Sequence, residues 1–117
     1  RLVGQPIAFW LAQQKTKVMV TNESNKNPGT ILGKADIIIS GVGKPALIKG
    51  RDVKKGAIVI DFGFAKTKGK IIGDVDFKSV SKKAKLLTPV PGGMGPLVVA
   101  MLIKNVLQLA TVYHAYK

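Results

Sequence analysis

The chain has no cysteine and only one histidine, His114, in its 117 residues. Disulfides, thiolate metal centres and cysteine nucleophiles are therefore excluded. A zinc site lacks ligands, and a Ser–His–Asp set is not expected with one distal histidine. Acidic residues are few, 6 against 19 Lys and Arg, for a formal charge of +13. That balance suits an anionic partner. The lysines are scattered, however, and the tightest group, Lys78, Lys82, Lys83 and Lys85, has only Phe77 beside it. This is too little for a base-stacking platform. The expectation is a solvated basic surface and no nucleic-acid partner. Long apolar runs are also lacking. The most apolar stretch, Pro96–Ala110, is interrupted by Lys104, Asn105 and Gln108, so no membrane span is expected. The N-terminus lacks the order of a signal peptide, and a cytoplasmic location is the default.

What remains is aliphatic. Ala35–Ser40 (A-D-I-I-I-S) and Ala57–Asp61 (A-I-V-I-D) read as strands buried on both faces, and Lys17–Thr21 and Ala84–Thr88 as two more. Pro6–Gln14 reads as a short helix with Ile7, Trp10 and Leu11 on one buried stripe and Phe9 off it. Pro6 suits the first helical turn because its missing N–H would be unpaired there anyway. Thr30–Lys34, Arg51–Lys55 and Ser79–Lys83 read as helical turns, Phe62–Gly69 as a loop, Lys70–Ile72 as a short strand, and Val98–Tyr116 as a long helix. Strands alternating with crossovers of this length predict a Rossmann-like α/β fold, a parallel sheet with flanking helices. The chain opens directly on a helix, at Arg1 without methionine, which suggests a partial domain over residues 1–117 whose first strand lies upstream.

In such a fold the strands all end at one edge, and ligands bind there. Four loops fall at that edge. Gly4 and Pro6 open the first helix, whose N-terminus can hold a phosphate. Gly41 and Gly43 bare the backbone after the triple-isoleucine strand. Asp61 and Gly63 follow the next strand. The last loop, T-P-V-P-G-G-M-G-P at Thr88–Pro96, packs six Gly and Pro into the eight residues Pro89–Pro96. Prolines fix φ, and glycines let backbone approach a ligand closely. The set has the shape of a dinucleotide site, although only Gly4 is present of a G-x-G-x-x-G pattern. Asp61 at a strand end more often caps a loop N–H than moves a proton. Lys44 is not a phosphate-loop lysine, since no G-x-x-x-x-G-K-[ST] is present.

Four motifs then resemble the C-terminal nucleotide-binding domain of the methylenetetrahydrofolate dehydrogenase/cyclohydrolase family. They are V-G-Q-P at Val3–Pro6, G-V-G-K-P at Gly41–Pro45, G-A-I-V-I-D-F-G at Gly56–Gly63, and the loop at Thr88–Pro96; G-D-V-D-F at Gly73–Phe77 agrees. The resemblance covers nearly the whole chain. It implies a cofactor, NADP or NAD, and a tetrahydrofolate substrate held against an N-terminal domain. The implied reactions are oxidation of methylenetetrahydrofolate to methenyltetrahydrofolate and hydrolysis to formyltetrahydrofolate. By the same resemblance the catalytic lysine and its tyrosine partner belong to the N-terminal domain, so no catalytic residue is expected here and residues 1–117 alone are expected to be inactive. A homodimer and a place in purine biosynthesis are further implications.

Carried over residue by residue, Gly4 and Pro6 line the pyrophosphate side. Gly41, Gly43 and Pro45 flank the cofactor, Gly63 and Phe64 sit by a ribose, and Gly95, Pro91, Gly92 and Gly93 face nicotinamide and folate, the last three on the substrate side. The sequence departs from the family at Phe64 and Ala65, where Ile and Asn are usual, and at Leu97 and Val98, where a hydroxyl is lost. Ala65 and Val98 keep open a degenerate Rossmann-like domain, and the +13 charge a basic nucleic-acid-binding domain without catalysis, as competing readings. Glu23-Ser24-Asn25-Lys26 stands where a histidine-containing segment helps bind a 2′-phosphate. Glu23 and Ser24 are thus cofactor-binding candidates, and the carboxylate of Glu23 at the end of the second strand would favour NAD.

Overall fold

The computed structural model describes residues 2–22, 24, 25 and 27–115. Three parallel strands make the centre: β1 (Ile37–Ser40), β2 (Ile58–Asp61) and the short β5 (Leu86–Leu87), in the order β1-β2-β5. Ile37 pairs with Ile58 and Ser40 with Asp61, so both strands end level. The β2–β5 pairing continues at both ends through Lys85 N–H to Ala57 O and Thr88 N–H to Val59 O. Between β2 and β5 lies an antiparallel hairpin, β3 (Ala65–Thr67) and β4 (Lys70–Ile72). Its turn residues Lys68 and Gly69 both have positive φ, 50° and 76°, which matches the right-handed twist of two-residue hairpins.

The helices are α1 (Gly4–Gln13), α2 (Gly29–Leu32), α3 (Phe77–Val80) and α4 (Met94–Ala115), with a 3-10 turn at Gly50–Asp52. The core is Leu32, Ile38, Ile48, Val53, Ala57, Val59, Val75 and Val80. Each of the Leu, Ile and Val side chains contributes about 1.5–3 kcal/mol when fully buried. Val75 is set in place by a parallel bridge to Ile48, with Ile48 N–H donating to Asp74 O and Asp76 N–H to Ile48 O.

Several expectations need correction. Lys17–Thr21 joins no ladder; a strand requires a hydrogen-bonded neighbour, and the three-stranded sheet ends at β1. For the same reason β1 is not buried on both faces. Ile38 and Ser40 are buried, whereas Ile37 is 57% exposed on this edge strand. In β2, Val59 and Asp61 are buried and the alternate residues only half covered. Trp10 is not on a buried stripe. It is 59% exposed, and no residue of α1 is buried. Three of the eight residues expected to be loop at 62–69 form β3.

The last helix begins at Met94, four residues earlier than expected, because Pro96 falls in the first turn where its missing N–H costs nothing. Met94–Tyr113 is long and apolar enough by composition to cross a bilayer, contrary to the expectation that no segment is. Lys104, Asn105 and Gln108 interrupt the pattern but not the helix. A helix apolar all round is equally what a protein buries between lobes.

Candidate functional site at the carboxyl edge of the sheet

The predicted loops do meet at one edge, and close backbone contacts tie them together. A Cβ on Gly41 would lie 2.9 Å from the Val3 side chain, so the segment entering α1 crosses the end of β1. Gly43 lies against the carbonyl of Phe64. The tightest crossings between segments distant in sequence are at Gly63 and Gly73. A Cβ on Gly63 would sit 2.3 Å from Asp74, and one on Gly73 2.1 Å from Asp61 Oδ2 and 2.8 Å from Val90. No side chain fits at either position. The rim therefore runs without a break from Val3 through the 41–45 loop and the 61–64 and 73–75 segments to Val90.

Two buried carboxylates hold this rim; the sequence reading gave Asp61 the role of capping a loop N–H but gave Asp74 no such role. Asp61 accepts from Gly63 N–H (2.7 Å), Asp74 N–H (3.2 Å) and Val75 N–H (3.0 Å). Its own N–H donates to Thr88 Oγ1 at 2.8 Å, which ties the first residue of the proline-glycine loop to β2. Burial pushes the Asp61 carboxyl up from the usual carboxylate value; the three N–H donors oppose this, and the charge of Asp74 adds to it. Asp74 accepts from Ser40 Oγ, Val42 N–H, Gly43 N–H and Lys44 N–H. The expectation that Asp61 satisfies loop N–H groups is met. The expectation that Gly43 offers bare backbone is not, because its N–H is already spent on Asp74. The signal in the sequence was G-D-V-D-F, an aspartate flanked by a glycine that must be small.

The other candidates are placed as follows. Gly4 is the first residue of α1, two residues before the expected start at Pro6, and Pro6 lies in the first turn. Val3 at the helix start makes no side-chain cap, so first-turn N–H groups remain for a ligand. Pro45 and Phe64 are exposed on the rim. Pro91 and Gly92 are exposed at its far end, after a cis Val90–Pro91 bond, and Gly93 packs against Pro89 O just before α4. Gly95 is exposed in the first turn of α4. Ser24 is exposed, its N–H donating to Asn22 Oδ1. Glu23 lies outside the described residues.

A groove of about 200 Å³ opens beside the rim, lined by Asp61, Ile72, Gly73, Phe77, Thr88 and Val90 among others. It includes none of the predicted site residues. It is smaller than the roughly 300–1,000 Å³ of small-molecule pockets, so a dinucleotide would lie along the open rim. No cluster of metal-ligating side chains occurs among the described residues.

A parallel sheet flanked by helices, with glycine-rich loops gathered at its carboxyl edge, defines a Rossmann-like α/β domain. Residues 1–114 match the family model described as tetrahydrofolate dehydrogenase/cyclohydrolase, NAD(P)-binding domain, and the chain belongs to that family. It is 50% identical over 109 residues to the bifunctional protein FolD of Nitratiruptor sp., covering 93% of this chain and 39% of that protein. To FolD of Sulfurihydrogenibium sp. it is 47% identical, covering 92% and 38%. Among solved structures, the FolD methylenetetrahydrofolate dehydrogenase/cyclohydrolase of Campylobacter jejuni superimposes with TM-score 0.89 at 41% identity, over 95% of this chain and 40% of that one. The Trypanosoma brucei enzyme, complexed with NADP and an inhibitor, gives 0.83 at 39% identity, over 89% and 38%. The chain thus spans about two fifths of the length of these relatives. Family membership supports the nucleotide reading and not a basic nucleic-acid-binding module.

Proposed function

We propose that this chain is the nicotinamide-nucleotide-holding part of a longer enzyme that oxidises methylenetetrahydrofolate to methenyltetrahydrofolate and hydrolyses that product to formyltetrahydrofolate. The observation that carries the reading is the match to the NAD(P)-binding domain over residues 1–114, on a chain whose rim fits such a ligand. The uncapped start of α1 has N–H groups to offer a pyrophosphate. Gly41 brings the end of β1 against that same segment. The nicotinamide group, when bound, supplies the hydride acceptor.

This chain's own residues then bind and orient. Gly4 and Pro6 sit on the pyrophosphate side; Gly41, Gly43, Pro45 and Phe64 form the surface the nucleosides rest on, and buried Gly63 supports it from beneath. Pro91, Gly92, Gly93 and Gly95 close the end nearest folate. Proton-transfer groups come from the N-terminal part of the longer protein. NADP is the first choice of cofactor, since the T. brucei relative is complexed with it. A homodimer and a cytoplasmic location complete the reading. The test is titration of the longer protein with NADP and with NAD, followed by the dehydrogenase assay. Saturable binding of one of them with methylenetetrahydrofolate-dependent reduction is expected; binding of neither would overturn the proposal.

A further inference from the structure

Asp74 is completely buried, and its carboxylate is saturated by one segment of chain. Ser40 Oγ donates at 2.7 Å and Val42 N–H at 2.6 Å to Oδ2; Gly43 N–H at 2.8 Å and Lys44 N–H at 2.9 Å donate to Oδ1. Three successive backbone N–H groups converging on one anion form a nest of the kind that elsewhere binds phosphate. Here the protein fills the nest with its own side chain. A carboxylate offers about four acceptor positions, and all four are taken. Asp74 is in turn immobilised, by its N–H on Asp61, by the pairing of its carbonyl with Ile48, and by Gly63 packed against its carboxyl.

We propose that Asp74 is the positioning residue for the Gly41–Pro45 loop. It holds the loop in the shape that lies against the nicotinamide nucleotide, and by consuming the loop's N–H groups it reserves that loop for a ribose or base rather than for a phosphate. The proposal rests on the nucleotide reading above. Its physical core is that a loop containing Gly43 at φ +79° has little shape of its own. The four donors fix it from beneath, and the ligand meets the side turned away from the carboxylate.

Asp74→Asn is isosteric but replaces one acceptor oxygen by a donor NH2. With the NH2 at the Oδ2 position, Ser40 can turn to accept, but Val42 N–H is left facing a donor. With it at Oδ1, both Gly43 and Lys44 N–H are left so. In the longer protein this change is expected to weaken NADP and NAD binding about tenfold, the scale of one unsatisfied buried donor. Folate KM should move less than about twofold, and hydrogen exchange at Val42, Gly43 and Lys44 should accelerate. Affinity for inorganic pyrophosphate should be unchanged. Ser40→Ala removes the one donor outside the loop's N–H set. It should lower Tm yet leave NADP affinity and the three exchange rates within about twofold, since the three charge-assisted bonds persist.

Should Asp74→Asn fail to fold, Gly43→Ala distorts the same loop with the carboxylate in place, and it should show the same nucleotide-selective weakening. The proposal is overturned by a folded Asp74→Asn that binds NADP as the wild type does, by equal weakening in Ser40→Ala, by selective loss of pyrophosphate affinity, or by a folded Gly43→Ala with wild-type affinity. If the wild-type longer protein binds neither nucleotide, the nucleotide reading fails separately. Exchange at the three amides then decides alone: acceleration in Asp74→Asn supports Asp74 as the loop's template, and unchanged protection refutes it.

Discussion

The centre of the molecule and its last helix are built from the same residue types in opposite surroundings. Around β2, Val59 is wholly buried, its neighbours Ile38, Ala57 and Val75 are nearly so, and Asp61 and Asp74 are buried with their hydrogen bonds satisfied. Along α4, every described side chain from Gly95 to Tyr113 is exposed, including Leu97, Leu102, Leu107 and Leu109. The difference is not composition. Strands β1, β2 and β5 find one another within the chain, whereas the described side chains of α4 from Gly95 to Tyr113 stay exposed. Hydrophobicity says that a segment must be covered; only topology says by what. The unpaired edge of β1 makes the same point in backbone terms, since an open parallel edge carries unpaired N–H and C=O groups.

The largest expected effect tests the rigidity of the centre. Gly63→Ala places a methyl group 2.3 Å from Asp74, and it should cost about 3 kcal/mol or more in urea unfolding, as severe overpacking does. A loss under about 1 kcal/mol would show that the centre gives way and that the contrast is overstated. Next comes a matched pair. Val59→Ala should cost about 2 kcal/mol, whereas Leu107→Ala, 64% exposed, should change the stability of residues 1–117 by no more than about 0.5 kcal/mol. Repeating Leu107→Ala in the longer protein sharpens the comparison. A cost near about 2 kcal/mol there would show that another lobe covers α4.

The third prediction concerns pH. Burial raises the Asp61 pKa above its unfolded value, so the folded state binds that proton more tightly. Its contribution to stability is full below the unfolded pKa and is lost as pH rises through the raised folded value. With Asp61→Asn as reference, the wild-type-minus-variant Tm should be most positive in acid and fall towards neutral pH. A difference that grows with pH would reverse the assignment. The smallest expected effect is at Glu23, which lies outside the described residues and whose carboxylate, on the sequence reading, would disfavour a 2′-phosphate. Glu23→Gln in the longer protein should shift the NADP-to-NAD KM ratio towards NADP by about fivefold, worth about 1 kcal/mol for one exposed charge. An unchanged ratio would remove Glu23 from cofactor choice.

Much of this was legible from the chain itself. Isoleucine runs bounded by Gly41 and Gly63 located β1 and β2, and the Thr88–Pro96 motif located the rim and the family. What was not legible depended on partners distant in sequence. The run K-V-M-V-T has strand propensity, but nothing in it reveals whether a neighbour is there to pair with. Trp10 sits at helical spacing from Ile7, but periodicity does not say what the stripe faces. The hairpin at Lys68–Gly69 was hidden because the first turn position carries Lys instead of the usual Asn or Asp. Asp74 reads as one of the few carboxylates in loops near the rim, with Glu23, Asp61 and Asp76, but its loop-holding role is not legible, because its burial comes from β1, the 41–45 loop and the bridge to Ile48 closing over it.

The donors of the 41–45 loop lie 30 to 32 positions ahead of the carboxylate that accepts from them. On the ribosome, therefore, the loop emerges before its template has been translated, and until Gly73–Asp76 docks beside Ile48 it is free to sample other conformations. The carboxyl-edge rim of this chain can take its form only after most of these residues have been made, which places its maturation late in synthesis.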